Sequence, residues 1–296
     1  MANLRDFLFV LAISLIALNL GSVDASFLEH FDFSWGDKQD NVVGNGDDLQ
    51  LALTYWSGSG IQTKHAFLFG SVEMLIKLVP GNSAGTVTAY YLSSTGPKHD
   101  EIDFEFLGNV TGEPYTVHTN VFTKGVGNKE QQFQLWFDPT TDYHNYTIHW
   151  NPREIVWFID GLPIRVFKNY KSQGVDFPNK QGMWVFSSLW NANNWATQGG
   201  RVKIDWDCAP FMAKFKNFRP RACQWNGTAS ISKCAANTPD NWWTSPVYRN
   251  LNRRQIRQMK WVRKYYMIYN YCTDYRRFNW KMPTECSLQD YSLQEY

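Results

Sequence analysis

Short runs of β-branched and aromatic residues recur along this chain, and their spacing limits the possible folds more than any other feature. The runs lie at 72–78, 87–92, 101–106, 115–122, 132–137, 155–159, 164–167, 183–188 and 211–218. Gly, Asn, Pro and Asp separate them, and Asp160-Gly161 is a strong hairpin signal. Because no helical segment lies between these runs, they predict an all-β sandwich or jelly roll. The 296 residues suffice for one large domain of this kind or two small ones.

The composition excludes some classes of protein and draws attention to the aromatic residues. With 44% hydrophobic and 19% charged residues, the chain is neither disordered nor fibrous. A formal net charge of +2 is too small for a dedicated polyanion binder. Trp, Tyr and Phe make up 17% of the chain. We expect most of them in the core, but Trp and Tyr also suit a surface that stacks on flat ligands.

The N-terminus has the pattern of an export signal. Arg5 precedes an apolar run at 7–20, and Val23 and Ala25 supply the small residues before a cleavage site. The run is too short for a membrane span, although a buried N-terminal helix is an alternative. We therefore predict a signal peptide at 1–25 and a soluble, secreted mature protein.

The C-terminal region differs in charge and periodicity from the rest. Residues 252–264 have the spacing of an amphipathic helix, and 265–271 resemble a strand. Residues 245–296 carry ten basic and four acidic side chains. A basic helix is also found at membrane surfaces and on nucleic acids, but in a secreted protein we expect the solvated outer face of a packed helix.

Five cysteines lie in the last third of the chain, at 208, 223, 234, 272 and 286. Pairing nearest neighbours gives Cys223–Cys234 and Cys272–Cys286, each stabilising by roughly 3 kcal/mol on a loop-entropy estimate. The sequence by itself leaves the connectivity open. Cys208 is then left over, and we expect a buried thiol rather than a nucleophile.

Three Asn-x-Ser/Thr sequons begin at Asn109, Asn145 and Asn226. Asn145 lies within a strand-like stretch, which disfavours a glycan there. Asn109 follows the end of a predicted strand, so we predict it as the glycosylation site.

The strand at 101–107 carries the most informative side chains. Because side chains alternate across a strand, Glu101, Asp103 and Glu105 share one face while residues 102, 104 and 106 enter the core. Adjacent carboxylates repel each other, and this raises the pKa of at least one of them. One ionised and one protonated carboxyl group are what glycosidic bond cleavage requires.

The spacing of these acids fits a retaining mechanism. The Cα atoms of Glu101 and Glu105 lie ~13 Å apart along a strand, and side chains that lean together reduce the carboxyl separation to the ~5 Å of retaining enzymes. Asp103 lies between them and can bond to the nucleophile. The alternatives are an exposed acidic strand and a Ca²⁺ site, but Ca²⁺ prefers loop carbonyls to a regular strand.

The same stretch, EIDFEFLGN at 101–109, resembles the signature of plant xyloglucan endotransglucosylase/hydrolases of glycoside hydrolase family 16. Further similarities are LWFDP at 135–139, SLWNA at 188–192 and YNYCTD at 269–274, so the resemblance covers nearly the whole mature chain. It implies a concanavalin-like β-jelly roll with a concave substrate cleft at 26–220. It also implies a disulfide-bonded extension at 221–296, with a short helix and strand on the acceptor side, and it supports the pairs Cys223–Cys234 and Cys272–Cys286.

The resemblance also assigns roles to individual residues. It makes Glu101 the nucleophile, Asp103 its helper and Glu105 the acid/base. The substrate-binding residues that it implies are His118, Thr119, Asn120, Asn128, Lys129, Glu130, Asn194, Trp195, Gly199 and Arg277. Asn194 stands where Asp is usual, so the family's charge is lost there. Each has a simpler alternative: Trp195 and Trp190 could fill the core, His118 could be a bonded core histidine, and Arg277 could be merely solvated.

These features together predict a secreted xyloglucan endotransglucosylase of the plant cell wall. The resemblance implies xyloglucan as both donor and acceptor. We further predict a monomer with no cofactor, no metal and no nucleic-acid or membrane partner. Two alternatives stay open: an endo-hydrolase acting on xyloglucan or mixed-linkage glucan, and a glycan-binding jelly roll without catalysis.

Overall fold

The computed structural model describes residues 27–36, 42–43 and 48–288. The predicted signal peptide lies outside these ranges. The strands are β1 Phe31–Trp35, β2 Val42–Val43, β3 Asp48–Leu53, β4 Ser59–Thr63, β5 Phe67–Lys77, β6 Thr86–Ser93, β7 Glu101–Leu107, β8 Thr116–Phe122, β9 Gln131–Gln134, β10 His144–Trp150, β11 Glu154–Ile159, β12 Leu162–Lys168, β13 Trp184–Asn191, β14 Phe211–Gln224 and β15 Met267–Asn270. The α-helices are α1 Phe27–His30, α2 Ser230–Ala235, α3 Arg253–Tyr266 and α4 Thr284–Leu288.

The strands form two antiparallel sheets. The eight-stranded sheet has the order β1-β4-β13-β6-β7-β8-β9-β15, and the seven-stranded sheet has the order β12-β11-β10-β5-β14-β3-β2. The predicted all-β jelly-roll class is confirmed, and every predicted run between 72 and 218 overlaps a strand. The run at 132–137 is only partly a strand, because β9 ends at Gln134 and the next three residues pack against the core instead.

The core lies between the two sheets. Phe104 and Phe106 of β7 are fully buried there and meet Tyr146 of β10, with ring centroids 5.7 and 4.6 Å away. Each fully buried aromatic side chain of this kind contributes about 1.5–3 kcal/mol to stability. This packing fixes which face of β7 points inwards, and therefore which residues point outwards.

The C-terminal region is joined to the eight-stranded sheet. Helix α3 begins at an Asn252–Gln255 capping box and buries Met259 and Val262, so the predicted amphipathic helix is confirmed. Strand β15 pairs with β9 and extends the sheet at that edge. No helix in the described part of the chain is both long enough and apolar enough to cross a membrane. Strand β14 continues across the predicted boundary at 220, and the division into 26–220 and 221–296 stays a prediction.

The cysteines are paired as nearest neighbours. Cys223–Cys234 and Cys272–Cys286 form disulfides, which confirms the predicted pairs. The prediction of a buried Cys208 is wrong, because this residue ends a single 3-10 turn, Trp206–Cys208, and is exposed. The turn lies between strands on the surface, where a short polar segment around Asp205 and Asp207 is solvated instead of packed.

Candidate active site

Strand β7 presents three carboxylates on the outer face of the eight-stranded sheet. Glu101, Asp103 and Glu105 alternate with residues 102, 104 and 106, which are fully buried between the sheets. The three acids line one depression of about 270 Å³. Its other lining residues are Ala89, Tyr91, Asn120, Phe122, Ser188 and Trp190. The acids therefore face a common space that is open to a ligand.

Glu105 has the electrostatics of a general acid/base. Burial raises its pKa to about 7, and the negative charges of Glu101 and Glu130 add to this effect. His118 Nε2 lies 3.8 Å from Glu105 Oε2. Burial lowers the pKa of His118 to about 4, so its imidazole is neutral near pH 7 and adds no positive charge. Glu105 is thus partly protonated at neutral pH and can both donate and accept a proton.

Glu101 and Asp103 differ in the forces that shift their pKa values. Burial, followed by the charges of Glu101 and Glu105, raises the pKa of Asp103 well above its ordinary range, while Arg165 lowers it. Burial raises the pKa of Glu101 overall, although the hydrogen bond with Ser93, the charge of His99 and the hydrogen bond with Asp103 oppose the rise. A protonated Asp103 donates this hydrogen bond, which favours the ionised form of Glu101 that can act as a nucleophile.

The described residues include no group of three or more His, Cys, Asp and Glu side chains that could hold a metal ion. Glu101, Asp103 and Glu105 come from one regular strand, and such a strand lacks the encircling loop carbonyls of a Ca²⁺ site.

Strand β8 adds two residues to the outer face and one to the core. Its register places His118 opposite Glu105 and Asn120 opposite Asp103, so both lie on the outer face, and Asn120 lines the depression. Asn120 Oδ1 accepts hydrogen bonds from the backbone N–H groups of Val121 and Lys129, which hold its side chain in place. Thr119 points the opposite way and is fully buried. The structure therefore separates Thr119 from the other predicted substrate-binding residues.

Two buried side chains that sequence reasoning missed support the acids from the core. Arg165 reaches across from β12 and donates to the carbonyl and hydroxyl oxygens of Thr119 at 2.7 and 2.8 Å. Burial lowers its pKa to about 10, so it keeps its charge at neutral pH. Trp157 Nε1 donates to the Asp103 carbonyl at 2.9 Å. The guanidinium lies 4.8 Å from the Trp157 ring centroid. This pair ties β7 and β8 to the opposite sheet.

Gln132 is a further residue that the sequence did not single out. Its Nε2 lies 3.0 Å from Nδ1 of His118 and donates to it. That leaves the imidazole N–H on Nε2, which faces the Glu105 carboxylate. Gln132 belongs to β9, directly opposite His118 in register. The alternation of side chains along β9 is the signal that places it on the outer face.

Asn128, Glu130 and Arg277 meet where the C-terminal region joins the sheet. Arg277 donates to both carboxylate oxygens of Glu130, at 2.6 and 2.9 Å, and to Asn128 Oδ1 at 2.8 Å. Burial raises the pKa of Glu130, but the Arg277 hydrogen bonds and charge outweigh it, so the pKa is lowered overall. Lys129 lies between these residues in the chain, but its ammonium donates to the carbonyls of Val126 and Gly127.

The segment after β13 lies near His118. The ring centroid of Trp195 is 6.1 Å from that of His118 and 6.1 Å from that of Trp190. Trp195 is half-buried, whereas Asn194 and Gly199 are exposed. A Cβ on Gly199 would meet no atom within 4 Å, although its φ of +68° favours glycine. The space next to Gly199 is therefore open, and a ligand could approach its backbone.

The sequons lie in different environments. Asn109 is half-buried after β7, where its Nδ2 donates to the Pro114 carbonyl and its Oδ1 accepts from the Val110 N–H. Asn145 lies within β10 and its Nδ2 donates to Glu73 Oε2 at 3.3 Å. Asn226 follows β14. The glycan at Asn109 stays a prediction.

Comparison with known proteins identifies two segments. Residues 27–208, more than half of the chain, match the model of glycosyl hydrolases family 16. Residues 237–286 match the model of the xyloglucan endo-transglycosylase C-terminus.

Curated proteins and solved structures agree with these matches. The chain is 51% identical over 281 residues to xyloglucan endotransglucosylase/hydrolase protein 22 of Arabidopsis thaliana, covering 94% of this chain and 98% of that protein. It is 50% identical over 287 residues to xyloglucan endotransglucosylase protein 1 of Diospyros kaki, covering 97% and 96%. A solved structure of apo Crh5 transglycosylase superposes with a TM-score of 0.51 at 26% identity, covering 65% of this chain and 80% of that one. The chain therefore belongs to glycosyl hydrolase family 16, within the group that carries the xyloglucan endo-transglycosylase C-terminus.

Proposed function

We propose that this protein is a xyloglucan endotransglucosylase, which cleaves the β-1,4-glucan backbone of xyloglucan and joins the cleaved chain to another xyloglucan chain. The observation that carries the proposal is that Glu101 and Glu105 share one open face in different electrostatic surroundings. Burial raises the pKa of Glu105 to about 7, whereas a hydrogen bond from Asp103 opposes the rise that burial causes in the pKa of Glu101. The relatives named as xyloglucan endotransglucosylases support the choice of polysaccharide.

The first step forms a covalent glycosyl-enzyme. A Glu101 carboxylate oxygen attacks the anomeric carbon of an internal glucosyl unit and forms a C–O bond as the glycosidic bond breaks. The Glu105 carboxyl group gives its proton to the departing 4-oxygen of the neighbouring unit. Asp103, protonated beside Glu101, donates a hydrogen bond that Glu101 accepts both as an anion and as an ester.

The second step returns both carboxyl groups to their starting state. Glu105, now ionised, takes the proton from the 4-hydroxyl of an incoming glucan chain while that oxygen attacks the anomeric carbon. The bond to Glu101 breaks and its carboxylate is released. Two inversions at the same carbon give a product with the original β configuration.

Transfer requires an acceptor side that binds a sugar chain in preference to water. The tail supports such a side, because β15 extends the eight-stranded sheet beyond β9 and Arg277 binds Glu130 and Asn128 next to it. Trp195, edge-on to His118, adds an aromatic surface in this direction. If water reaches the glycosyl-enzyme instead, the same residues act as a xyloglucan hydrolase.

A glycan-binding protein without catalysis is the rival from another class. Binding by hydrogen bonds and stacking needs no carboxyl group whose pKa is close to 7. Glu105 combines a pKa of about 7 with a place in an open depression beside Glu101 and Asp103, and this combination favours the enzyme.

The compartment and assembly are part of the same proposal. Two disulfides support an oxidising compartment outside the cytosol, and xyloglucan as the proposed substrate supports a location at the plant cell wall. We propose that it is secreted and acts as a monomer, with a glycan on Asn109.

Incubating the protein with xyloglucan and a fluorescently labelled xyloglucan oligosaccharide tests this function. We expect the label to enter high-molecular-weight product, as followed by size-exclusion chromatography. A steady increase of reducing ends with no incorporated label supports the hydrolase instead. Neither activity, together with retained binding to immobilised xyloglucan, supports the non-catalytic binding protein.

A further inference from the structure

Trp35, at the far edge of the eight-stranded sheet, faces the same side as the carboxylates. Phe33 pairs with Ile61, but the next register pair joins Trp35 to Gly60, so Ser34 is the extra residue of a β-bulge. Without the bulge, Ser34 would lie opposite Gly60 and Trp35 would point the other way. Bulges re-aim side chains in this manner. The bulge therefore places a tryptophan on the outer face.

The indole of Trp35 lies flat against the backbone of β4. A Cβ on Gly60 would overlap the indole nitrogen, and a Cβ on Gly58 would lie 2.9 Å from the ring. The two glycines thus leave the space that the ring occupies. Trp35 is nevertheless 41% exposed. One side of the ring covers the strand, and much of the remaining surface is open to solvent.

The register connects this tryptophan to Glu105 in a straight row. Trp35 lies opposite Gly60, Gly60 opposite Ser188, Ser188 opposite Ala89, and Ala89 opposite Glu105. Opposite residues in an antiparallel sheet share a face, so the whole row lies on the outer face. The ring covers β4, three strands from β7, which corresponds to ~14 Å at the spacing of neighbouring strands.

We propose that Trp35 is a stacking platform for the donor glucan, about four glucosyl units from the bond that is cleaved. The inference rests on the proposed function, because it takes the chain to run across the strands from Glu105. A β-1,4-linked glucosyl unit advances by about one strand spacing, so a first unit at β7 places the fourth unit over β4. The flat apolar C–H face of a glucosyl ring matches the exposed indole face.

The direction of the donor follows from the opposite edge of the sheet. The tail joins the sheet through β15, beyond β8 and β9, and the proposed function gives that side to the acceptor. The β6-β13-β4-β1 side therefore binds the donor. Trp190 of β13 lies along the same path and lines the depression near the acids. A donor chain thus passes Trp190 before it reaches Trp35.

Nitrophenyl β-glycosides of xyloglucan-type oligosaccharides test the platform. The aryl group occupies the first acceptor position, so that all backbone glucosyl units of the substrate lie on the donor side. Substrates with two, three, four and five backbone glucosyl units are compared by their kcat/KM for nitrophenol release. The comparison gives the gain in kcat/KM from each added unit. In the unaltered protein we expect the fourth unit to raise kcat/KM about tenfold, equivalent to about 1.4 kcal/mol.

We expect Trp35→Ala to reduce that increment to less than about twofold. The values for two and three units should stay unchanged, which also shows that the variant is folded. Trp35→Phe keeps a flat ring and should retain most of the increment. Trp261→Ala is the matched control, because Trp261 is similarly exposed, at 40%, but lies on the tail helix α3. There it packs against Trp136. It should leave all increments unchanged.

The outcomes separate the platform from the proposed function. An unaltered protein that releases no nitrophenol from any glycoside contradicts the proposed function. Release without a gain at the fourth unit, or an equal gain in Trp35→Ala, contradicts the platform alone. If both Trp35 variants lost activity toward substrates of every length, Trp35 would have a structural role in stabilising the fold. That result would also contradict the platform.

Discussion

Arg277 and Glu130 form a two-point ion pair between the tail and the segment that leads into β9. Nη1 donates to Oε2 at 2.6 Å and Nη2 donates to Oε1 at 2.9 Å, across 147 residues of sequence. Tyr269 adds its hydroxyl oxygen as a further acceptor for Nη1 at 2.9 Å. A bidentate pair of this kind fixes orientation as well as position. The tail is thereby held in one place beside the proposed acceptor side.

Replacing Arg277 by Lys should weaken use of the acceptor more than use of the donor. Lysine keeps the charge but cannot form the two parallel bonds, so the tail segment loses its fixed orientation. We expect KM for a labelled oligosaccharide acceptor to rise several-fold, with KM for the xyloglucan donor changing less than twofold. Arg276→Lys, at the exposed neighbouring residue, is the matched control. Equal effects on donor and acceptor would contradict a role of this pair on the acceptor side.

The pKa of Glu105 predicts the alkaline side of the pH profile. The first step needs protonated Glu105, whose pKa burial raises to about 7. The rate of glycosyl-enzyme formation should therefore fall tenfold per pH unit above about 7 and level off below it. On the acid side, activity declines when Glu101 is protonated, and burial raises that pKa as well. Initial rates of xyloglucan cleavage between pH 4 and 9 measure the profile, because the departing 4-oxygen of a sugar chain needs the proton of Glu105. An alkaline limb centred near pH 5 would contradict this assignment.

Glu105→Gln should stabilise the fold at alkaline pH. The carboxyl pKa is about 7 in the folded protein and near its ordinary value of 4.5 in the unfolded chain. At pH 4.5 the folded state is protonated and the unfolded chain is about half protonated, so the difference in ionisation costs little stability. Between pH 4.5 and 7 the unfolded chain loses its proton while the folded state keeps it, and above pH 7 the folded state carries a buried charge, so stability falls by on the order of 1–3 kcal/mol across this window. Glutamine avoids this cost.

Thermal unfolding at two pH values measures the effect of Glu105→Gln. We expect Tm to match that of the unaltered protein at pH 4.5 and to exceed it by a few degrees at pH 8. Lys216→Gln provides a control, since it changes a charge of the seven-stranded sheet far from the acids. The same Tm difference at both pH values would show that the ionisation of Glu105 is not responsible.

Trp157→Phe should reduce catalysis by loosening the strand that carries the acids. The substitution removes the indole N–H that donates to the Asp103 carbonyl and leaves a buried oxygen without its partner. We expect a loss of about 1–3 kcal/mol in unfolding free energy and a several-fold decrease in kcat. Trp150→Phe is a matched control, because Trp150 is equally buried and donates to the Pro178 carbonyl at 2.9 Å. It should lose similar stability with kcat unchanged, and a similar loss of kcat would contradict the positioning role of Trp157.

The sequence was sufficient to predict the central strand and its chemistry. A strand has a period of two, so the order Glu101, Asp103, Glu105 with apolar residues between them determines which side chains enter the core. The disulfide pairs and the tail helix were also predictable, from cysteine spacing with the family resemblance and from helical periodicity. These features depend on residues that are close together in the chain.

Features that depend on distant strands were not predictable from the sequence. Thr119 was grouped with His118 and Asn120, although the alternation on β8 turns its side chain into the core towards Arg165. Arg165 itself gives no signal in the sequence, since only the pairing of the two sheets brings β12 beneath β8. Trp35 depends on a one-residue bulge, which reverses the face that strict alternation predicts.

The roles of Glu101 and Glu105 are tested most directly by azide rescue of Glu101→Ala and Glu105→Ala with an aryl β-glycoside, followed by NMR of the glycosyl azide. In Glu101→Ala, azide should occupy the position of the missing carboxylate and displace the aryl group once, giving the α-azide. In Glu105→Ala, Glu101 should still form the glycosyl-enzyme, and azide should attack from the opposite side to give the β-azide. The opposite assignment of products, or rescue of neither variant, would contradict a double displacement with Glu101 as nucleophile and Glu105 as acid/base.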